Sequence, residues 1–212
     1  MEYITLTVGQ LGTNCYLVWG TDKQATVIDP GDEAAYILEE AAARGLSVSA
    51  VMLTHLHVDH FLALPDLLRE TGARFILPRD EVPALDDPAR NLMNWLVPSA
   101  RFTLPHPSET VGEGDTVSVG DLTFTVWHTP GHTAGSSCYR CGDTLFCGDT
   151  LFQGSVGRCD LPSGDGAVLQ ETLRRFAAMD EDLRLLSGHG AATTLFAEQK
   201  TNPYVVEQML KT

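Results

Sequence analysis

Short apolar blocks, broken by glycine, proline and charged residues, organise this chain. Residues 3–8, 14–19 and 25–28 each read as a strand, with turns at 9–12 and 20–23. Asp29-Pro30-Gly31 stops the third block. Ala, Leu and Glu dominate 33–44, which favours a helix, and Gly45 is placed to end it. A buried strand at 48–53 runs straight into Thr54-His55-Leu56-His57. Pro65 suits the first turn of a helix over 65–70 that Gly72 closes, and 74–77 is again an apolar strand. This β-α-β-α-β order predicts a partly parallel sheet with helices outside. Residues 78–110 break the pattern: Pro78, Pro83, Pro88, Pro98, Pro105 and Pro107 punctuate them, predicting a surface insertion with one short helix over 88–96. Its apolar members Met93, Trp95 and Leu96 are candidates to line a pocket or an oligomer contact.

The second half restarts with strands at 116–119 and 122–128 around a tight turn at Gly120-Asp121. A hairpin follows from 136–140 and 145–147 around Cys141-Gly142-Asp143. A helix over 166–179 carries Val168, Leu169, Leu173 and Phe176 at helical spacing. A last strand at 184–187 leads into Gly188-His189-Gly190, and a final helix is expected from about Pro203. Both halves place strands first and strand-helix alternation second. Two stacked sheets with helices on their outer faces would satisfy both, in one α/β domain spanning 1–212.

Composition narrows the function classes. Hydrophobic residues are 43% and charged residues 20%, which describes an ordinary globular chain. A net charge of −14 argues against nucleic acid or an anionic membrane as partner, since both call for a basic patch. Met1-Glu2-Tyr3 offers no basic leader, and no apolar run approaches the roughly 20 residues of a membrane span. The five cysteines are odd in number and argue against a disulfide framework, so a cytoplasmic location is expected. Cys138-x-x-Cys141 has a redox or zinc spacing, but it flanks a turn and reads better as ordinary strand cysteines.

The candidate chemistry lies in seven residues: His55, His57, Asp59, His60, His132, Asp149 and His189. Residues two apart on a strand point the same way, so His55 and His57 can aim at one ion. A turn would then carry Asp59 and His60 to a neighbouring ion. His132 and His189 each follow a glycine at a strand end, and Asp149 follows Phe146-Cys147-Gly148. Imidazole and carboxylate donors suit zinc, and also iron or manganese. The set exceeds the needs of one tetrahedral ion, so two metals sharing a bridge is the natural reading, with water activated between them. His106 and His128 read as ordinary polar residues. Asp59 alone could be a helix N-cap. Asp29 could orient a histidine or simply begin a turn.

These motifs resemble the metallo-β-lactamase superfamily. The run from Thr54 to His60 is similar to its H-x-H-x-D-H signature. Thr129-Pro130-Gly131-His132-Thr133, Gly148-Asp149-Thr150-Leu151-Phe152 and Ser187-Gly188-His189-Gly190 are similar to its later motifs, and Val27-Ile28-Asp29-Pro30-Gly31 to its early strand. The resemblance implies an αβ/βα four-layer sandwich with the site at one edge of two mixed sheets. It also implies two Zn²⁺ per chain: His55, His57 and His132 on one, Asp59, His60 and His189 on the other, and Asp149 bridging, with Asp59, His60 and Asp149 as the catalytic set. Within the superfamily, Gly157-Arg158-Cys159-Asp160 and Asn202-Pro203-Tyr204 make the chain most similar to the glyoxalase II (hydroxyacylglutathione hydrolase) group. That implies hydrolysis of a small-molecule thioester such as S-lactoylglutathione, by a monomer or homodimer. The chain departs from that group in reaching Thr212 without the extra helical domain that grips glutathione, and in having Asp160 near the position of a glutathione-binding tyrosine. Arg158 could meet a carboxylate or pair with an internal acid, and Cys159 could be a reactive thiol. A one-iron sulfur dioxygenase and a lactonase are the alternatives. A metal-binding protein without turnover is a third.

Overall fold

The computed structural model describes residues 1–99 and 103–210. Two six-stranded mixed sheets stack face to face. The first runs in chain order: β1 (Glu2–Val8), β2 (Thr13–Trp19), β3 (Gln24–Ile28), β4 (Ser47–Met52), β5 (Arg74–Pro78) and β6 (Glu109–Val111). Its first three strands are antiparallel, and β3 to β6 are parallel. The second holds β7 (Thr116–Val119), β8 (Leu122–His128), β9 (Ser137–Cys141), β10 (Thr144–Gly148), β13 (Arg184–Ser187) and β14 (Thr193–Thr194). A separate hairpin pairs β11 (Leu151–Phe152) with β12 (Ser155–Val156).

Strand alternation explains the layering. Tyr16, Val18, Ile28 and Met52 turn inward against Phe124, Val126, Tyr139 and Phe146 of the other sheet. Their neighbours Leu17, Trp19, Val27 and Val51 turn outward against Ile37 of α1 (Ala34–Ala43) and Leu64 and Leu67 of α2 (Leu64–Thr71). On the far side, Leu145, Cys147 and Leu185 meet Leu169, Leu173 and Phe176 of α4 (Gly166–Ala177) and Val205 of α6 (Pro203–Met209). Strands covered on both faces read as continuous apolar runs. The result is the expected αβ/βα sandwich. Cys138 and Cys141 fall in different apolar layers, so they form no joint redox or zinc site. No helix of the described residues is long and apolar enough to cross a membrane.

Helix ends follow the sequence closely. Gly45 takes φ 64° after α1, Pro65 opens α2, and Asp165 caps α4 by accepting from the Ala167 and Val168 amides. Two expectations change. The final helix starts at Pro203 as expected, but a further helix precedes it: Asn202 separates α5 (Leu195–Thr201) from α6 and caps the latter; residues 211–212 lie outside the described residues. Residues 78–110 are not a purely surface insertion: Glu81, Leu85, Asn91, Leu92 and Leu104 are buried, and β6 joins the first sheet. The helix expected over 88–96 shrinks to α3 (Met93–Leu96), and residues 100–102 lie outside the described residues.

Candidate metal centre

All seven predicted residues arrive at the same end of the two sheets. His55 and His57 follow β4, and Asp59 and His60 lie in a one-turn 3₁₀ helix, Val58–His60. Asp59 therefore caps no helix. His132 lies in the loop from β8 to β9, Asp149 follows β10, and His189 follows β13. Close approach of these loops needs glycine, most directly around Asp149. A Cβ on Gly188 would fall 2.2 Å from Asp149 Oδ1, and one on Gly157 would fall 1.8 Å from the Asp149 carbonyl oxygen.

The donors form two groups. In the first, His132 Nε2 lies 2.9 Å from His57 Nδ1 and 3.3 Å from His55 Nε2. In the second, Asp59 Oδ2 lies 3.3 Å from His189 Nε2 and 3.6 Å from His60 Nε2. Asp149 stands between them. Its Oδ2 is 3.7 Å from both His132 Nε2 and His189 Nε2, and its Oδ1 is 3.5 Å from His60 Nε2. These carboxylate contacts, from 3.3 to 3.7 Å, exceed ordinary hydrogen-bond lengths. His60 Nε2, Asp149 Oδ1 and His57 Nε2 are buried with no hydrogen-bond partner among the described residues. Buried polar atoms left this way are costly unless something else satisfies them. An ion lying among each group would satisfy His60 and Asp149, so the donor set fits metal.

Surrounding residues aim the lone pairs. His132 Nδ1 donates to the Arg158 carbonyl at 2.7 Å, which leaves Nε2 as the free lone pair. His60 Nδ1 donates to Asp29 Oδ2 at 3.0 Å, and the same oxygen accepts from Thr54 Oγ1 at 2.7 Å. Thr54 Oγ1 in turn lies 3.1 Å from His55 Nδ1. Asp29 thus fixes a ring in each group, the orienting role rather than a turn role alone.

Two orienting residues carry no sequence signal. Glu81, buried, accepts from the Leu56 amide at 2.9 Å, the Gly135 amide at 2.9 Å and Thr133 Oγ1 at 2.6 Å. It ties the loop of His55 and His57 to the loop of His132. Asn14 on β2 donates to the Ser187 and Gly190 carbonyls at 3.0 and 2.9 Å, holding the loop of His189 from both sides.

Electrostatics separates the groups. Burial, and then the neighbouring imidazoles, push His55 and His57 well below the usual histidine range, so both rings are neutral. Burial also opposes charge on His60, but Asp149, Asp59 and Asp29 outweigh it and hold its pKa up to about 10. Burial would raise Asp59, yet His60 and His189 bring it down below the ordinary carboxylate range. Carboxylates that hold a proton so firmly on His60 are equally disposed to hold a metal cation in its place.

Residues outside the centre sort plainly. His106 is exposed, and His128 Nε2 donates to the Ala134 carbonyl at 3.0 Å, away from the cluster. Cys159 is half-buried and lines a separate cavity with Leu169 and Leu173. Arg158 pairs with exposed Asp160, not with an internal acid. Trp95 and Leu96 do line the cavity over the histidines, whereas Met93 faces a different one.

Known proteins match this arrangement over nearly the whole chain. Hydroxyacylglutathione hydrolase GloC from Haemophilus influenzae is 32% identical over 221 residues, covering 97% of both chains. The crystal structure of BLEG-1 B3 metallo-beta-lactamase superposes with TM-score 0.90 at 32% identity, covering 96% of this chain and 99% of that one. TTHA1623, solved in a di-iron-bound form, gives TM-score 0.84 at 34% identity over 95% and 99% of the two chains. Residues 8–189, from the end of β1 to the last of the seven candidate donors, match the family directly, and the chain belongs to the metallo-beta-lactamase superfamily.

Proposed function

We propose that this chain is a dinuclear metal-dependent hydrolase of the glyoxalase II type, acting on small-molecule thioesters. The observation that carries the proposal is the placement of Asp149 between two donor groups, within 3.7 Å of His132, His60 and His189. His55, His57 and His132 would hold one ion, Asp59, His60 and His189 the second, and Asp149 would face both. Zinc suits the imidazole-rich set, with iron or manganese as alternatives. When bound, such a pair supplies Lewis acidity and a nucleophilic water at neutral pH.

The chain's own residues prepare that chemistry. Neutral His55 and His57 present lone pairs without losing a proton. Asp29 and the Arg158 carbonyl hold His60 and His132 in the tautomers that leave Nε2 free. A cavity of about 470 Å³ opens over His57, Asp59, His132, Asp149 and His189, wide enough for a small acyl thioester. A thiolate leaves without a dedicated acid, and among the described residues lining the cavity the only carboxylates and imidazoles are those of the donors. The presence of His189 in a second donor group weighs against the one-iron dioxygenase.

Metal analysis of the purified protein, beside hydrolysis of S-lactoylglutathione and simple S-acyl thiols, tests the reading. Two equivalents of metal with thioester turnover is the expected result. A full metal load with no hydrolysis of any ester, thioester or lactone would replace the enzyme by a binding protein.

A further inference from the structure

The cavity over the donor groups has an apolar wall that the chemistry of the ions does not require. Leu11, Leu92, Trp95, Leu96, Phe152 and Leu161 form it. Three of these are large apolar side chains held in water at its mouth: Leu11 is 53% exposed, Trp95 63% and Leu96 45%. Exposed apolar side chains gathered around a reactive site mark a binding surface. The wall is also anchored to the site. Asn91, just before α3, is buried, donates to the Ala84 carbonyl at 2.8 Å, and accepts from the Val58 amide at 2.9 Å. The Trp95 segment is thereby fixed to the turn that carries Asp59.

Charge on the wall points the same way. Among the described residues that line the cavity, Arg158 is the one arginine or lysine. Its Nε donates to Asp160 Oδ1 at 2.7 Å and one terminal nitrogen to Asp160 Oδ2 at 2.9 Å, so the Nε edge of its guanidinium is turned onto a carboxylate of the chain itself. A glutathione moiety carries two carboxylates and one ammonium. Here it would meet an arginine already paired with a carboxylate, on a chain of net charge −14.

We infer that the site selects thioesters whose non-reacting half is apolar and uncharged, with Trp95 and Leu96 as specificity-determining residues and Asp160 as the residue that turns away an anionic thiol. The inference rests on the thioesterase reading and narrows its substrate class.

The test compares a neutral apolar substrate, S-hexanoyl-N-acetylcysteamine, with S-lactoylglutathione on the as-purified protein. Calorimetric binding of the uncleavable thioethers S-hexyl-N-acetylcysteamine and S-hexylglutathione runs beside it. The neutral substrate is expected to have a kcat/KM at least about 10-fold higher, a ratio that one apolar pocket contact can supply. Trp95→Ala should raise KM for the neutral substrate by about 10-fold, well beyond any loss in kcat, as truncating an aromatic anchor does. Asp160→Asn should lower KM for S-lactoylglutathione by up to about 5-fold, the scale of one exposed ion pair. Preference for the glutathione thioester with no response to Trp95→Ala would overturn the inference while leaving the thioesterase standing. Hydrolysis of neither substrate, nor of any other S-acyl thiol, would overturn the thioesterase. The thioethers would then decide the inference alone: tighter binding of the neutral one, lost in Trp95→Ala, upholds it, and equal binding overturns it.

Discussion

The two donor groups differ in what holds them. The His55, His57 and His132 group is the more deeply buried and holds no carboxylate, and burial keeps His55 and His57 neutral. It is aimed by Glu81, Thr54 and the Arg158 carbonyl. The Asp59, His60 and His189 group is more open, with the His189 side chain 28% exposed and that of Asp59 16% exposed. Its strength is charge: His60 lies among three carboxylates, those of Asp29, Asp59 and Asp149. One group is made by geometry and the other by electrostatics. Proteins can reach a metal site by either route, because fixed neutral donors and loosely fixed anions trade orientation against Coulomb attraction.

The sharpest way to break this comparison is to remove what the groups share. Asp149→Ala should lower thioester kcat/KM by at least about 10³-fold, or ~4 kcal/mol of transition-state stabilisation, and reduce bound metal below two equivalents by elemental analysis. Retained turnover with a full metal load would refute its place between the groups. Single-group losses come next. His132→Ala and His189→Ala should each keep about one equivalent of metal and lose at least about 10²-fold in kcat/KM.

The supporting residues should show smaller and more selective effects. Glu81→Gln leaves the Leu56 and Gly135 amides competing for one acceptor. It should weaken metal affinity at the three-histidine group by about 10–100-fold, read by competition with a chelator, and spare the other group. Asn14→Ala should do the reverse and more weakly, by about 10-fold or less at the Asp59, His60 and His189 group, because loop 187–190 keeps the Tyr16 hydroxyl bond to the Ser187 carbonyl at 2.6 Å. Last, chelation should lower Tm by several degrees, as loss of any native-state ligand does, with far-UV circular dichroism unchanged. The three apolar layers flank the centre without depending on it.

The candidate site was more legible in sequence than the residues that orient it. His55 to His60 crowd the window after an apolar strand, and His132, Asp149 and His189 each follow a glycine at a strand end. A local pattern thus announces all seven. Helix boundaries were legible for the same local reason, in Gly45, Pro65 and Gly72. Glu81 was not, because an acid among prolines reads as solvated, and only long-range packing brings Leu56, Thr133 and Gly135 to it. The strand β6 was hidden likewise: three residues become a strand by pairing Glu109 with Ile76 across the sheet. The helix α5 has seven residues, too few to show a period, and its buried Glu198 turns inward to meet Gly154, Thr193 and Asn202.

The central claim is that two cation positions flank Asp149. Anomalous diffraction from a metal-soaked crystal, collected above and below the absorption edge, tests it most directly. The account predicts two peaks, one among His55, His57 and His132 and one among Asp59, His60 and His189, with Asp149 between. A single peak, or a second one away from His60 and His189, would contradict it.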